Sequence, residues 1–333
     1  MRIAINGFGR IGRSVFRILN TRDDFEVVAI NDIADNDALT YLLKYDTVMG
    51  RFPDTVHTEK DVLYTSTNEV KMLAERNPAD LPWKELSVDV VVEATGIFRT
   101  TKSLKQHLAA GAKRIVLTVP AKDEIDYTVV IGVNDKGLNS DHRIISNASC
   151  TTNCLAPISK VLNDAFGIEY GVINTIHAYT NDQRLADVPH SDWRRSRAAA
   201  ENIIPTTTGA ARAVGKVLPE LAGKLDGIAM RVPVADGSVV DSVFQLKKSV
   251  TVDKINEVVL KASQTSGLER ILEYSTLPVV STDIIGNPHS SIFDAPFTRV
   301  IEGNFVKTLN WYDNEWGYSN RVVDLIGLLG GFD

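Results

Sequence analysis

Cysteine is nearly absent from this chain: two in 333 residues, Cys150 and Cys154, both within one five-residue stretch. That excludes a disulfide framework. No apolar run approaches the roughly 20 residues of a membrane span. The N-terminus turns to a glycine at position 7 without the apolar core of a signal peptide, so a cytoplasmic, reducing address is expected, with no membrane partner. An excess of basic charge is also lacking. Thirty-six Lys and Arg stand against 42 Asp and Glu, for a net charge of −6, which argues against a nucleic-acid partner. A few arginines in a cleft can still act locally on an anionic substrate. Internal repeats, low-complexity tracts and a Pro/Gly/Ser-rich linker are all missing, so neighbouring domains should be tightly joined. What remains is ordinary for a folded protein: 44% hydrophobic and 23% charged residues, with a length that fits two domains of about 150 residues each.

The first half alternates strand-like and helix-like patterns. Residues 2–6, 26–31, 88–93 and 114–118 read as strands, and 10–21, 36–44 and 101–110 carry helical spacing. Residues 128–133 and 143–146 add short strands, and the polar segment 50–87 reads as short strands and loops at a sheet edge. Such alternation predicts a parallel sheet covered on both faces, an α/β fold of Rossmann type. The character changes near Cys150. A long helix from 150 to about 165 contains Pro157, and strand-like runs follow at 170–179, 227–234, 238–248 and 305–312. Helices are expected at 209–218, 253–265 and 317–329. Long strands with few helices between them predict an α+β domain with a mixed or antiparallel sheet. The expected division is 1–149 for a cofactor domain, 150–313 for a catalytic domain, and 314–333 for a C-terminal helix packing back on the first domain.

Two motifs carry chemistry. Gly7-Phe-Gly9-Arg10-Ile11-Gly12 follows a strand and opens a helix, and Asp32 lies 20 residues after Gly12 at the end of the next strand. This is the dinucleotide-binding context. Gly7 makes the tight turn, Gly9 admits the pyrophosphate, and Gly12 lets helix pack on strand. The unpaired amides of the helix start face the phosphates. Asp32 suits the adenine ribose hydroxyls and repels a 2′-phosphate, favouring NAD over NADP. In the second motif, Ser149-Cys150-Thr151-Thr152-Asn153-Cys154, Cys150 falls at a helix start, where a thiol loses its proton more readily. It could equally be a small core residue. Cys154, one turn further in, reads as a buried inert thiol, and two thiols without a His or Cys pair make no zinc cage. A nucleophilic cysteine needs a base, but spacing alone does not choose among six histidines. His177, within a strand of the same half, is the distinctive one.

Seven blocks give the chain an end-to-end resemblance to the phosphorylating glyceraldehyde-3-phosphate dehydrogenases: AINGFGRIGR (4–13), LPWKEL with VDVVVEATG (81–96), SNASCTTNCLAP (146–157), HAYTNDQ (177–183), RRSRAAAENIIPTTTGAARAVGKVLPEL (194–221), MRVPV (230–234) and WYDNEWGYSNRV (311–322). The resemblance implies an NAD-dependent enzyme of glycolysis and gluconeogenesis. It converts D-glyceraldehyde 3-phosphate, NAD and inorganic phosphate to 1,3-bisphosphoglycerate. Cys150 would attack the aldehyde and His177 would activate it, through a hemithioacetal and then a thioester. The resemblance further implies cofactor contacts from Gly7, Gly9, Arg10, Ile11, Gly12, Asp32, Arg76, Thr118, Asn181 and Asn314. For Asn314, between a strand and a helix, helix capping is an equally good account. Anion sites are implied at Thr180, Arg195 and Arg231, and at Ser149, Thr151, Thr208 and Gly209. No metal is implied. The pair Val188-Pro189 resembles the NAD-using members, and the Arg-rich stretch 180–203 resembles a loop that packs on a neighbouring subunit, implying a homotetramer. Two alternatives stand beside this reading: an erythrose-4-phosphate dehydrogenase, and a nucleotide-sensing or RNA-binding regulator that keeps the fold without the activity.

Overall fold

The computed structural model describes residues 1–332. They form two compact units: residues 1–129, 136–148 and 319–332 in the first, and residues 130–135 and 149–318 in the second.

The strands of the first unit are β1 (Arg2–Asn6), β2 (Glu26–Asn31), the small pair β3 (Tyr45–Asp46) and β4 (Gly50–Arg51), β5 (His57–Glu59), β6 (Val62–Tyr64), β7 (Glu69–Leu73), β8 (Val90–Glu93), β9 (Arg114–Leu117), β10 (Tyr127–Thr128) and β11 (Ile144–Ser146). Its helices are α1 (Arg10–Leu19), α2 (Asn36–Lys44) and α3 (Thr101–Ala109). Among the described residues, nine of these strands form one sheet in the order β10-β11-β9-β8-β1-β2-β7-β6-β5. The pairs from β10 to β7 are parallel, and the edge β7-β6-β5 is antiparallel. β1 and β8 are almost wholly apolar and buried, as strands covered on both faces must be. Strand order reverses at β1, which has β2 on one side and β8 on the other. In such sheets the ligand crevice opens beyond the carboxyl ends of the strands at this reversal. The register sets Asn31, Asn6 and Glu93 side by side in one row at that end. One sequence expectation fails here. Residues 128–133 are not a strand: pairing stops at Thr128, and Gly132 takes a left-handed φ of +82°, which ends extended backbone.

The second unit opens with α4 (Cys150–Phe166) and continues with β12 (Ile168–Ala178), β13 (Ile204–Thr207), α5 (Ala210–Val217), β14 (Leu225–Val232), β15 (Ser238–Leu246), α6 (Val252–Ser263), β16 (Leu272–Ser275), α7 (Ser281–Ile284), β17 (Ser291–Asp294), β18 (Arg299–Ile301) and β19 (Phe305–Tyr312). Its sheet runs β13-β14-β12-β15-β19-β17-β16, with β18 added on β19. β12 and β14 are parallel, while β12–β15 and β15–β19 are antiparallel, so the sheet is mixed. Pro157 sits inside α4 and withholds the amide that would bond to the Asn153 carbonyl, yet the helix continues to Phe166. Packing of α4 against α5, α6 and β17 holds it together. Gly227 is required by strand spacing, since a Cβ there would lie 2.1 Å from the Ile173 carbonyl oxygen of β12. The closing helix, α8 (Trp316–Gly330), starts in the second unit and contributes its residues from 319 onward to the first. Among the described residues no helix is long and apolar enough to cross a membrane.

Candidate active site

The chain enters α4 just after Ala148, a non-glycine residue held at φ +53°. Ser149 then caps the helix, its Oγ accepting from the Thr152 amide at 3.1 Å. This leaves Cys150 as the first helical residue. Its Sγ lies 3.4 Å from Nε2 of His177 on β12. His177 pairs in register with Arg231 of the parallel strand β14, and the Arg231 Nη1 is 2.6 Å from the far ring nitrogen, Nδ1. The same Nη1 donates to the Ala178 carbonyl at 3.0 Å. Cys150, His177 and Arg231 thus form one contiguous line. Behind it, the Tyr312 hydroxyl is 2.8 Å from both Thr151 Oγ1 and Thr175 Oγ1, and its ring meets the His177 imidazole edge-on.

The electrostatics follow from burial. His177 is only 4% exposed, and burial, reinforced by the Arg231 charge, lowers its pKa to about 3. The imidazole is therefore neutral at physiological pH. Nδ1 has two neighbours with opposite demands: Arg231 Nη1 at 2.6 Å, which can only donate and favours a ring proton on Nε2, toward the sulfur, and the Ala178 carbonyl at 2.7 Å, which can only accept and favours one on Nδ1. Burial also raises the Cys150 thiol, opposed by Arg231 and by hydrogen bonding to Thr151. The expected lowering at a helix start is present but outweighed: the residue is partly accessible, yet its surroundings are dense. Cys154 is fully buried against Ser291 and the Asn310 carbonyl, and its thiol is pushed far up by burial.

The other expected residues of this unit fall into two groups. Arg195 is held by Asp182 at 2.5 Å and by Thr206 Oγ1 at 2.9 Å, and its charge is felt at both Arg231 and His177. The Thr180 amide donates to Gln183. Thr208 Oγ1 accepts from the Ala210 amide, and Gly209 begins α5 with no side-chain cap and open space around it. Asn314 does not cap α8. Asp313 does so, accepting from the amides of Glu315 and Trp316. Asn314 Oδ1 instead accepts from Ser238 Oγ at 2.5 Å, and that Oγ accepts from the Ala178 amide. A polar relay therefore ties Asn314 to the residue after His177. Beside it, burial and the neighbouring Asp313 push the Asp236 carboxyl up to about 9. Asn181 is exposed.

The first unit holds the glycine loop. Gly7 has φ +93°, and a Cβ on it would strike the Thr95 amide nitrogen at 2.6 Å. A Cβ on Gly12 would lie 2.1 Å from the Gly7 carbonyl oxygen. Gly9 has nothing within 4 Å of its missing Cβ, and α1 starts there without a side-chain cap. Open approach at Gly9, at the start of a helix, fits a dinucleotide pyrophosphate. Asp32 accepts from the Phe8 amide at 2.8 Å and the Ala34 amide at 3.0 Å, which fixes its carboxylate beside the loop. Arg10 is paired with Asp46 at 2.6 Å. Thr118 Oγ1 donates to the Glu93 carbonyl, and Arg76 is exposed.

Family models match both units. Residues 1–101 match the NAD binding domain of glyceraldehyde 3-phosphate dehydrogenase and residues 149–314 its C-terminal domain. The chain is 54% identical over 332 residues to glyceraldehyde-3-phosphate dehydrogenase of Streptomyces coelicolor, covering 99% of this chain and 98% of that one. It is 57% identical over 331 residues to the enzyme of the same name from Borreliella burgdorferi, covering 98% of each. The chain belongs to the glyceraldehyde-3-phosphate dehydrogenase family. Its first unit is accordingly an NAD-binding Rossmann-type domain and its second the α+β partner domain.

Sequence reasoning missed several residues that shape the family site in this chain. Tyr312, Ser238 and Asp182 act on expected site residues from strands or turns distant in sequence, and no local pattern marks them. Glu93 did leave a sign, as a lone charge ending the apolar run Val90-Val91-Val92.

Iodoacetamide is expected to label Cys150 and to spare Cys154 until the protein unfolds, as peptide mapping would read. Substituting His177→Asn removes the imidazole 3.4 Å from the sulfur, and with it a hydrogen-bond partner able to support the thiolate. The pH midpoint of Cys150 alkylation should then move upward. Labelling of Cys154 first, or a midpoint that stays or falls, would contradict this arrangement.

Proposed function

We propose that this chain oxidises D-glyceraldehyde 3-phosphate with NAD and inorganic phosphate to 1,3-bisphosphoglycerate. The line Cys150–His177–Arg231 is the observation that carries the reading, because it joins a nucleophile, a proton carrier and an anion-binding group on neighbouring elements. Cys150 Sγ attacks the aldehyde carbon, forming a hemithioacetal, and the later thioester is cleaved by phosphate. Covalent capture divides one hard conversion into two easier ones. When bound, NAD supplies the hydride acceptor. In the first unit Gly7, Gly9, Arg10, Ile11, Gly12, Asp32, Arg76 and Thr118 would hold it. The fixed Asp32 carboxylate disfavours a 2′-phosphate, so NAD is preferred over NADP. The Cys150 amide and the His177 Nε2–H stabilise oxyanion charge.

Arg231 has two tasks in this reading. With Thr180 and Arg195 it binds the substrate phosphate, while Ser149, Thr151, Thr208 and Gly209 serve the attacking phosphate. It also sets the imidazole tautomer. While Nη1 faces Nδ1, the ring proton lies toward the sulfur and His177 cannot accept from the thiol. Once Arg231 turns to a phosphate, Nδ1–H can donate to the Ala178 carbonyl, 2.7 Å away. Nε2 then becomes a base toward Cys150. Nitrogen chemical shifts of the His177 ring should therefore report a proton on Nε2 in the unliganded protein and on Nδ1 when glycerol 3-phosphate, which offers the substrate phosphate without an aldehyde, is saturating. The same tautomer in both conditions contradicts this role.

The chain works as a homotetramer in the cytoplasm, where Cys150 stays a free thiol. Support for assembly comes from the stretch 180–203, which presents Leu185 and Trp193 at 85% and 86% exposure. Large apolar side chains so exposed in one loop suit contact with another subunit. A sedimentation mass near the 36.6 kDa of one chain contradicts the assembly.

An NADH absorbance assay tests the reaction itself, run with two aldehyde phosphates, NAD and NADP, with and without inorganic phosphate. Oxidation should require phosphate, prefer NAD, and be far faster with glyceraldehyde 3-phosphate than with erythrose 4-phosphate. Arg231→Ala should lower kcat/KM about tenfold to a hundredfold, the scale of one charge-assisted contact of about 1.5–3 kcal/mol. Unphosphorylated glyceraldehyde should be much less affected. Equal loss for both aldehydes means that Arg231 acts through His177 and Cys150 and not on the substrate phosphate, and faster turnover of erythrose 4-phosphate selects the related dehydrogenase.

A further inference from the structure

Beneath the glycine loop lies a buried polar row that the reaction does not use directly. Glu93, at the carboxyl end of β8, and His107, on α3, are both fully buried. Trp83 Nε1 donates to His107 Nδ1 at 3.0 Å. Indole nitrogen can only donate, so the His107 proton sits on Nε2, 3.1 Å from Glu93 Oε2. The same oxygen accepts from Asn6 Nδ2 at 2.6 Å. Glu93 Oε1 accepts from the Thr95 amide at 2.9 Å and from the Thr95 hydroxyl. Every partner is a donor and none is a cation, so a carboxylate is satisfied wholly by neutral groups from three chain segments. Asn6 Oδ1 in turn accepts from Asn31 Nδ2 at 2.7 Å, and Asn31 grips the Glu75 backbone through both its amide atoms.

The ends of this network coincide with the cofactor-binding surface. Asn6 precedes Gly7, Asn31 precedes Asp32, and Glu75 precedes Arg76. Thr95 supplies the amide against which Gly7 is packed, and the Glu93 carbonyl receives the Thr118 hydroxyl. We propose that Glu93 is a positioning residue for NAD: its buried carboxylate locks the ends of β1, β2 and β8 so that the glycine loop and Asp32 are in place before the cofactor arrives. The inference rests on the NAD-dependent reading above. Pre-ordering matters because a loop ordered only on binding would spend binding energy on its own immobilisation.

Glu93→Gln turns one acceptor oxygen into a donor that must face other donors. Dissociation constants for NAD and for ADP-ribose, measured by calorimetry, should each rise tenfold or more. The kinetic loss should fall on the KM for NAD, with kcat at saturating NAD changing far less, and the rate of Cys150 alkylation should stay at the parent value. His107→Phe, which keeps the ring against Trp83 but removes one donor, should give a smaller shift in the same direction and serves if the first variant does not fold. Hydrogen exchange on the unmodified, cofactor-free protein gives a reading without any variant: the Phe8 and Thr95 amides should be as protected as those of β1. Exchange of these two amides at the rate of exposed loops overturns the proposal, as does NAD affinity within twofold of the parent in folded variants. Failure of the unmodified chain to bind NAD overturns the underlying reading instead, and this inference with it.

Discussion

A guanidinium resting on the far nitrogen of a buried imidazole is the contact on which the catalytic unit turns. It competes with the Ala178 carbonyl for one ring nitrogen of His177, it helps keep the ring neutral, and it places a positive charge within reach of the Cys150 sulfur. None of this needs a flexible loop. His177 and Arg231 face each other because β12 and β14 are parallel neighbours in the stated register. Cys150 joins them because α4 begins at the Ser149 cap. Burial makes each ion costly, so the three groups share one electrostatic fate: a change of charge on any of them is felt by the other two.

The two units solve opposite problems with similar means. In the NAD-binding unit a carboxylate is surrounded by neutral donors, each of which gives it a hydrogen bond. In the catalytic unit the imidazole has two competing neighbours on one nitrogen, Arg231 and the Ala178 carbonyl. Full satisfaction gives a fixed platform, whereas competition gives a group that can change roles. Polar networks buried in proteins tend toward one or the other, depending on whether every lone pair and proton is claimed.

Much of this was legible in the sequence where the signal was local. The period of apolar residues located α2, from Asn36 to Lys44, and gave β1, β2 and β19 their observed bounds. Glycine spacing marked the cofactor loop, because each glycine there answers a local steric demand. The edge strands β13 and β16, and β17 beside the latter, left no comparable pattern, and 128–133 misled because Val129, Val130 and Ile131 have strand composition without a strand's pairing. The choice of His177 among six histidines came from family resemblance, since its pairing with Cys150 joins residues 27 apart through tertiary packing. Asn314 left two readings open, a cofactor contact and a helix cap; its neighbour Asp313 takes the cap and leaves the Asn314 side chain to Ser238. Contacts such as Tyr312 with Thr151 span 161 positions, a distance over which composition and periodicity carry no information.

The pairing of His177 with Arg231 has a consequence for how such a chain can change over time. Side chains alternate between faces along a strand, so inserting or deleting one residue within β12 or β14 upstream of the pair would turn one member to the opposite face of the sheet. Between the strands, the stretch from Leu185 to His190 pairs with neither of them and is under no such counting rule. It can lengthen, shorten or be exchanged for another loop while the two strands keep step. Descendants of this chain are therefore free to acquire new contacts along that segment while the pair stays intact.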